Sequence, residues 1–218
     1  MKVSSSKEKI LKKIREALSN PVPLPFPKSE GSSSVFHPLS EDLEILFAKE
    51  FTALLGKFAF CINETDAQNQ VKKLITNNKW SNVYCVEKQL SNLFPSSEFP
   101  AINQSSLSTC DAAITSCDYL IARTGAIVMS STQESGRTVS AYAPVHICIA
   151  YIDQLVFDTR DALKNFKTKS GTNFPSFITF AAGPSRTADI EKTLVVGVHG
   201  PKEVFVFLID QHAKPIKT

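Results

Sequence analysis

Apolar positions along this chain are spaced helically in the first half and mostly alternate or run together in the second. In SSKEKILKKIREALSN, Ile10, Leu11, Ile14, Ala17 and Leu18 fall on one helical face, and Ser5 and Glu8 have the spacing of a capping box, so an amphipathic helix is predicted. Proline at alternate positions from Pro21 to Pro27 disfavours helix and ladder pairing, which predicts an extended arm running into the flexible composition SEGSSS. From Ser40 a long helix is expected. Leu43, Leu46, Phe47, Phe51, Leu54 and Leu55 share a face, Glu41 and Asp42 fill the first turn, and Gly56 offers the stop. KFAFCI reads as a buried strand, a helix from about Asp66 carries Val71, Leu74 and Ile75, and NVYCV supplies another β-type run. Strand, helix, strand predicts parallel pairing. Ser91 to Ser108 reads as irregular.

In the second half, DYLIARTGAIVMSS forms two β-type runs around Thr124-Gly125, HICIAYI a third, DTRDALKNF a short helix, and FITFAAG and EVFVFLID the closing strands. The expected fold is α/β: an open sheet with flanking helices and an antiparallel hairpin portion. Two regions are expected, a helical arm with its Pro/Ser-rich linker over 1–34 and a core domain over 35–218.

Composition narrows the function classes. With 43% hydrophobic and 21% charged residues in 218, the chain can bury one sizeable core. The net charge of +3 is small, and its one basic group is Lys7, Lys9, Lys12, Lys13 and Arg15, so no nucleic-acid partner is implied. That helix lacks a Trp or Phe anchor on its apolar stripe, which favours docking on protein, including a second copy of the chain, over a membrane surface. No apolar run approaches the ~20 residues of a membrane span. The five cysteines occur singly, as in a reduced, cytoplasmic protein, and neither clustered thiolates nor a G-x-G-x-x-G fingerprint is present, so no cofactor is expected.

The densest candidate chemistry is GPSRTADIEKTLVVGVHGP, from Gly183 to Pro201. It follows FITFAAG, and a helical turn is expected near Thr187, capped by Ser185 or Thr187, with Asp189 and Glu191 in its acidic first turn. Such a helix start needs no ligand. Gly183 beside Arg186 adds another possibility, because a small residue allows close backbone approach and a guanidinium can clamp a carboxylate or phosphate. In GVHGPK, Lys202 is followed by Glu203, unlike a Walker loop, and His199 is either a ligand-contacting acid or base or a turn residue beside Gly200. His146 is expected to face a neighbour within the sheet. Thr124 and Gly125 mark a turn, and Arg137 with nearby hydroxyls could share a rim with Arg186.

Taken together, GPSRTADIE, VVGVHGP, DYLIARTGAIV and the P-x-H-I strand resemble the LUD domain proteins, in the lactate-utilisation protein C group. The resemblance covers most of the chain. It implies a core similar to the NagB/RpiA/CoA-transferase type of fold, also used by 5-formyltetrahydrofolate cyclo-ligase. It further implies a cytoplasmic part in oxidising L-lactate to pyruvate, alongside an iron–sulfur subunit and a cysteine-rich subunit. Gly183 to Ile190, Gly197, His199, Gly200, Pro201, Thr124 and Gly125 match the family runs. Arg123 stands where an acidic residue is expected, and Ala126 where a hydroxyl is frequent. An enzyme in its own right, acting on a carboxylate, folate or phosphate compound with a perturbed carboxylate such as Glu191 or Glu134, is the other reading.

Overall fold

Residues 5–19, 41–104, 106–171, 173–190, 193–197 and 199–210 are described by a computed structural model. The chain divides into two units, Met1–Pro38 and Leu39–Thr218. In the first, α1 (Ser5–Ser19) is the predicted amphipathic helix, and Ile10, Leu11 and Ile14 of its apolar stripe are exposed. The proline arm lies outside the described residues.

The second unit begins with α2 (Leu43–Ala53), β1 (Lys57–Cys61), α3 (Glu64–Asn78), β2 (Val83–Tyr84), α4 (Lys88–Leu93), β3 (Ile102–Asn103) and β4 (Ala112–Thr115). It continues with β5 (Tyr119–Ile121), β6 (Ala126–Ser130), α5 (Val139–Tyr142), β7 (Val145–Tyr151), β8 (Leu155–Val156) and α6 (Thr159–Ser170). Last come β9 (Ile178–Ala181), β10 (Arg186–Ile190), β11 (Thr193–Val196) and β12 (Glu203–Ile209). Six parallel strands form the main sheet in the order β1-β12-β7-β4-β2-β3, and β8-β5-β6-β9 form a second, mixed sheet. This is the expected α/β class.

Strand periodicity sorts the core into layers. From β12, Phe207 and Ile209 join Ile147 and Ile149 of β7 against Val71 and Ile75 of α3 and Leu90 of α4. The alternate positions Val204, Val206, Leu208, Cys148 and Ala150 face Phe47 and Phe51 of α2 and Leu120, Ile127 and Met129 of the second sheet. Small side chains at Cys148 and Ala150 leave room for the two phenylalanines, whose full burial contributes roughly 3–6 kcal/mol. Phe166 and Ala162 of α6 cover the other side of β5 and β6.

Several expectations are corrected. β1 is an edge strand with Phe60 exposed, because only β12 flanks it. Leu55, at φ 67°, takes the left-handed position that ends α2, while Gly56 is needed because a Cβ there would lie 2.4 Å from the Phe51 ring. The span read as irregular holds part of α4 and all of β3. The turn expected to be helical at Thr187 is instead an antiparallel hairpin, with Arg186 opposite Val196 and Thr187 opposite Val195. Its β-branched residues outweigh the local helix-start signal once a partner strand is available. Arg123 pairs with the buried Asp158 at 2.6 Å, and Asp158 also caps α6 by accepting from the Arg160 N–H.

Candidate functional site

The stretch 183–202 makes a corner at the amino-terminal edge of the main sheet, just before β7 and β12. Backbone bonds tie it together: the Ser185 N–H donates to the Pro201 carbonyl at 2.9 Å, the Gly197 N–H to Ser185 at 2.8 Å, and the Lys202 N–H to Pro144 at 2.8 Å. The Ser185 hydroxyl donates to the His199 carbonyl at 3.1 Å. Two glycines make the close approaches possible. Gly183 has φ 80° and a Cβ there would meet the Leu54 carbonyl oxygen at 2.5 Å, and Gly125 has φ 56° and would meet the Phe51 nitrogen at 2.5 Å. Both therefore press on the last turn of α2.

The sequence-nominated residues fall into separate groups. Ser185, His199 and Gly200 share the corner. Arg186 donates from Nη2 to the Leu54 carbonyl at 3.0 Å, satisfying a free acceptor at the C-terminus of α2, where a cation is also favoured. Thr124 and Gly125 lie against α2, and the Thr124 hydroxyl is buried without a hydrogen-bond partner among the described residues. Arg137 donates to the Ser176 hydroxyl at 2.6 Å and stacks over Phe177, before the start of β9, whereas Arg186 follows its end. The two guanidinium groups thus serve different ends of that strand. Thr187 and Asp189 lie on β10, and Glu191 lies outside the described residues.

Beside the corner opens a cavity of about 500 Å³ lined by Tyr142, Pro144, Gly197, His199, Gly200 and Lys202, with Ala141 completing it. Lys202 is its one lysine or arginine, no acidic side chain lines it, and Lys202 joins no ion pair among the described residues. The cavity's chemistry suits a small anion.

A second constellation, without a sequence motif of its own, lies at the opposite edge of the main sheet. The chain passes from β2 outward to β3 and returns to β4 on the other side of β2, a topological switch that opens a crevice outside the carboxyl ends of β2 and β4. Glu87 and Ser116 sit there. Glu87 is 2% exposed and accepts from the Ser116 N–H at 3.0 Å, and Gln133 donates to the Ser116 hydroxyl at 3.1 Å. Burial, opposed by hydrogen bonds from Ser130, raises the Asp118 carboxyl above its ordinary value, and the charge of Glu87 adds to the rise. Nearby, His146 Nε2 bonds the Thr115 hydroxyl at 2.8 Å, and burial pushes this histidine down to about 4, so it is a neutral core residue. Only a lone acid after a short β run marks Glu87 in the sequence.

Among the described residues, no three His, Cys, Asp or Glu side chains gather as metal ligands, and no helix is long and apolar enough to cross a membrane. Cys117 and Cys148, distant in sequence, meet in the core, where their mutual hydrogen bond and burial keep the Cys117 thiol protonated.

Comparison with known proteins places this geometry in a family. The chain is 42% identical over 93 residues to lactate utilization protein C of Halalkalibacterium halodurans, covering 42% of this chain and 40% of that protein. It is 32% identical over 111 residues to the protein of the same name from Deinococcus radiodurans, covering 50% and 51%. The matched segments thus span about half or less of these relatives. A crystal structure of a DUF162 family protein from Deinococcus radiodurans shares the fold at TM-score 0.58 and 20% identity, over 79% of this chain and 99% of that one. A family profile described as the LUD domain matches residues 45–209, three quarters of the sequence, and the chain belongs to the LUD domain family.

Proposed function

We propose that this protein is a subunit of a cytoplasmic L-lactate utilisation system that oxidises lactate to pyruvate with an iron–sulfur subunit and a cysteine-rich subunit. The observation that carries the reading is the likeness to proteins named lactate utilization protein C. A place for the substrate that is in keeping with this reading is the amino-edge cavity. There, Lys202 supplies a charge for a small carboxylate, while Tyr142 and His199 supply polar atoms for its substituents. In this reading Arg186 holds the corner on α2 and the ligand is met by Lys202. Deleting the gene in its host should abolish growth on L-lactate as sole carbon source and leave growth on pyruvate intact. Undiminished growth on L-lactate would overturn the proposal.

One observation favours a second reading, an enzyme acting by itself on a carboxylate, folate or phosphate compound. Glu87 and Glu134 line the carboxyl-edge crevice, and Asp118, close enough to feel the charge of Glu87, has a carboxyl raised by burial, the kind of group that proton transfer uses. Turnover of such a compound by the isolated chain, lost in Asp118→Asn, would establish it over the subunit role.

A further inference from the structure

The crevice outside β2 and β4 has a use that the lactate reading leaves open. Its innermost acid, Glu87, accepts at Oε2 from the Ser116 N–H at 3.0 Å and from Gln89 Nε2 at 3.3 Å. Its Oε1 is buried without a hydrogen-bond partner among the described residues. A buried carboxylate oxygen without a donor is costly, so a group that donates to it would relieve the site. Across the crevice stands Glu134, held by the Lys88 backbone N–H, which donates to Oε2 at 2.7 Å. Lys88, Gln89, Ser116, Thr132 and Gln133 line the rest of a volume of about 290 Å³, at the small end for a metabolite site.

Charge and hydrogen-bond valence select the ligand. Two carboxylates against one ammonium disfavour a small anion. An organic ammonium offers donors alone and sets a second cation beside Lys88. A hydroxyl both donates and accepts, so two adjacent hydroxyls can donate to Glu87 and Glu134 while accepting from Lys88 and Ser116. We propose that this crevice binds a neutral vicinal diol, from a free sugar or the ribose of a nucleoside, with Glu87 Oε1 accepting from one hydroxyl.

Saturation-transfer NMR on the full chain tests this with methyl β-D-ribofuranoside and adenosine, each beside its 2-deoxy counterpart, and with putrescine as the amine control. Both ribosides should give saturable signals, and loss of the 2-hydroxyl should weaken binding about tenfold. Tighter binding of adenosine would identify a nucleoside as the source, and equal binding a free sugar. Glu87→Gln should lower riboside affinity about tenfold or more while the fold is kept, because the amide oxygen can still accept from the Ser116 N–H. Glu134 is exposed, so Glu134→Gln reads binding without endangering the fold, and it should weaken both ribosides in the same direction. The proposal fails if neither riboside binds at millimolar concentration, if the deoxy compounds or putrescine bind equally well, or if both variants bind as the wild type does.

Discussion

The corner at the amino edge of the main sheet and the crevice at its carboxyl edge are built from different materials. Main-chain bonds among Ser185, Gly197, Pro201, Lys202 and Pro144 hold the corner, and glycine permits its close approaches to α2. Side chains build the crevice: Glu87, Ser116 and Gln133 hold one another, with Asp118 and Ser130 paired beside them. Their charges are also opposite, a lysine without acids at the corner and two carboxylates against one lysine in the crevice. Glycine-rich punctuation therefore marks where the backbone must bend, whereas the place where a polar valence is left open has no such signature.

Perturbing the frame on which the corner rests should have the largest effect. Gly125→Val places a branched side chain at φ 56° against the backbone of α2, and urea unfolding should show a loss of about 3–5 kcal/mol. Gly136→Ala, at φ 63° with open space around it, should cost only about 1 kcal/mol, which separates the packing requirement from the backbone one. Acid should come next. His146 is held below its ordinary 6.5, at about 4, so the unfolded chain binds the proton first. Its contribution to stability is complete above about pH 6.5 and is lost as pH falls towards about 4, by about 3 kcal/mol, a slope that His146→Gln should flatten in denaturant titrations. Lys202→Ala should weaken L-lactate binding about tenfold by calorimetry and leave the melting midpoint in place. Arg186→Ala sharpens the contrast with the smallest change: about 1 kcal/mol of stability from the lost bond to Leu54, with lactate affinity preserved.

Much of the frame was legible in the sequence. Val71 and Ile75 set the buried face of α3, and the long apolar runs of β7 and β12 announced strands buried on both sides. β4 was not, because AAIT is short and small-sided, although it lies between β7 and β2 in the sheet. The hairpin of β10 and β11 carries the signature of a helix start because Asp189 and Glu191 have first-turn spacing, while strand pairing depends on residues that the local pattern does not join. For the site, the clustering of Ser185, His199 and Gly200 followed from punctuation. Arg186 has the local pattern of an anion clamp, and its bond to Leu54, 132 positions away, is beyond what a local pattern shows. Glu87 is invisible for the same reason: its role depends on Ser116, which follows β4, a strand that sequence periodicity does not reveal.

Amide chemical shifts during an L-lactate titration of the full chain test the central claim, that the two edges of the sheet hold separate sites of opposite preference. Saturable shifts at 141–144 and 199–202, with 87–89 and 132–134 unmoved, are the predicted result. Shifts confined to the Glu87 crevice, or none at either edge, would contradict it.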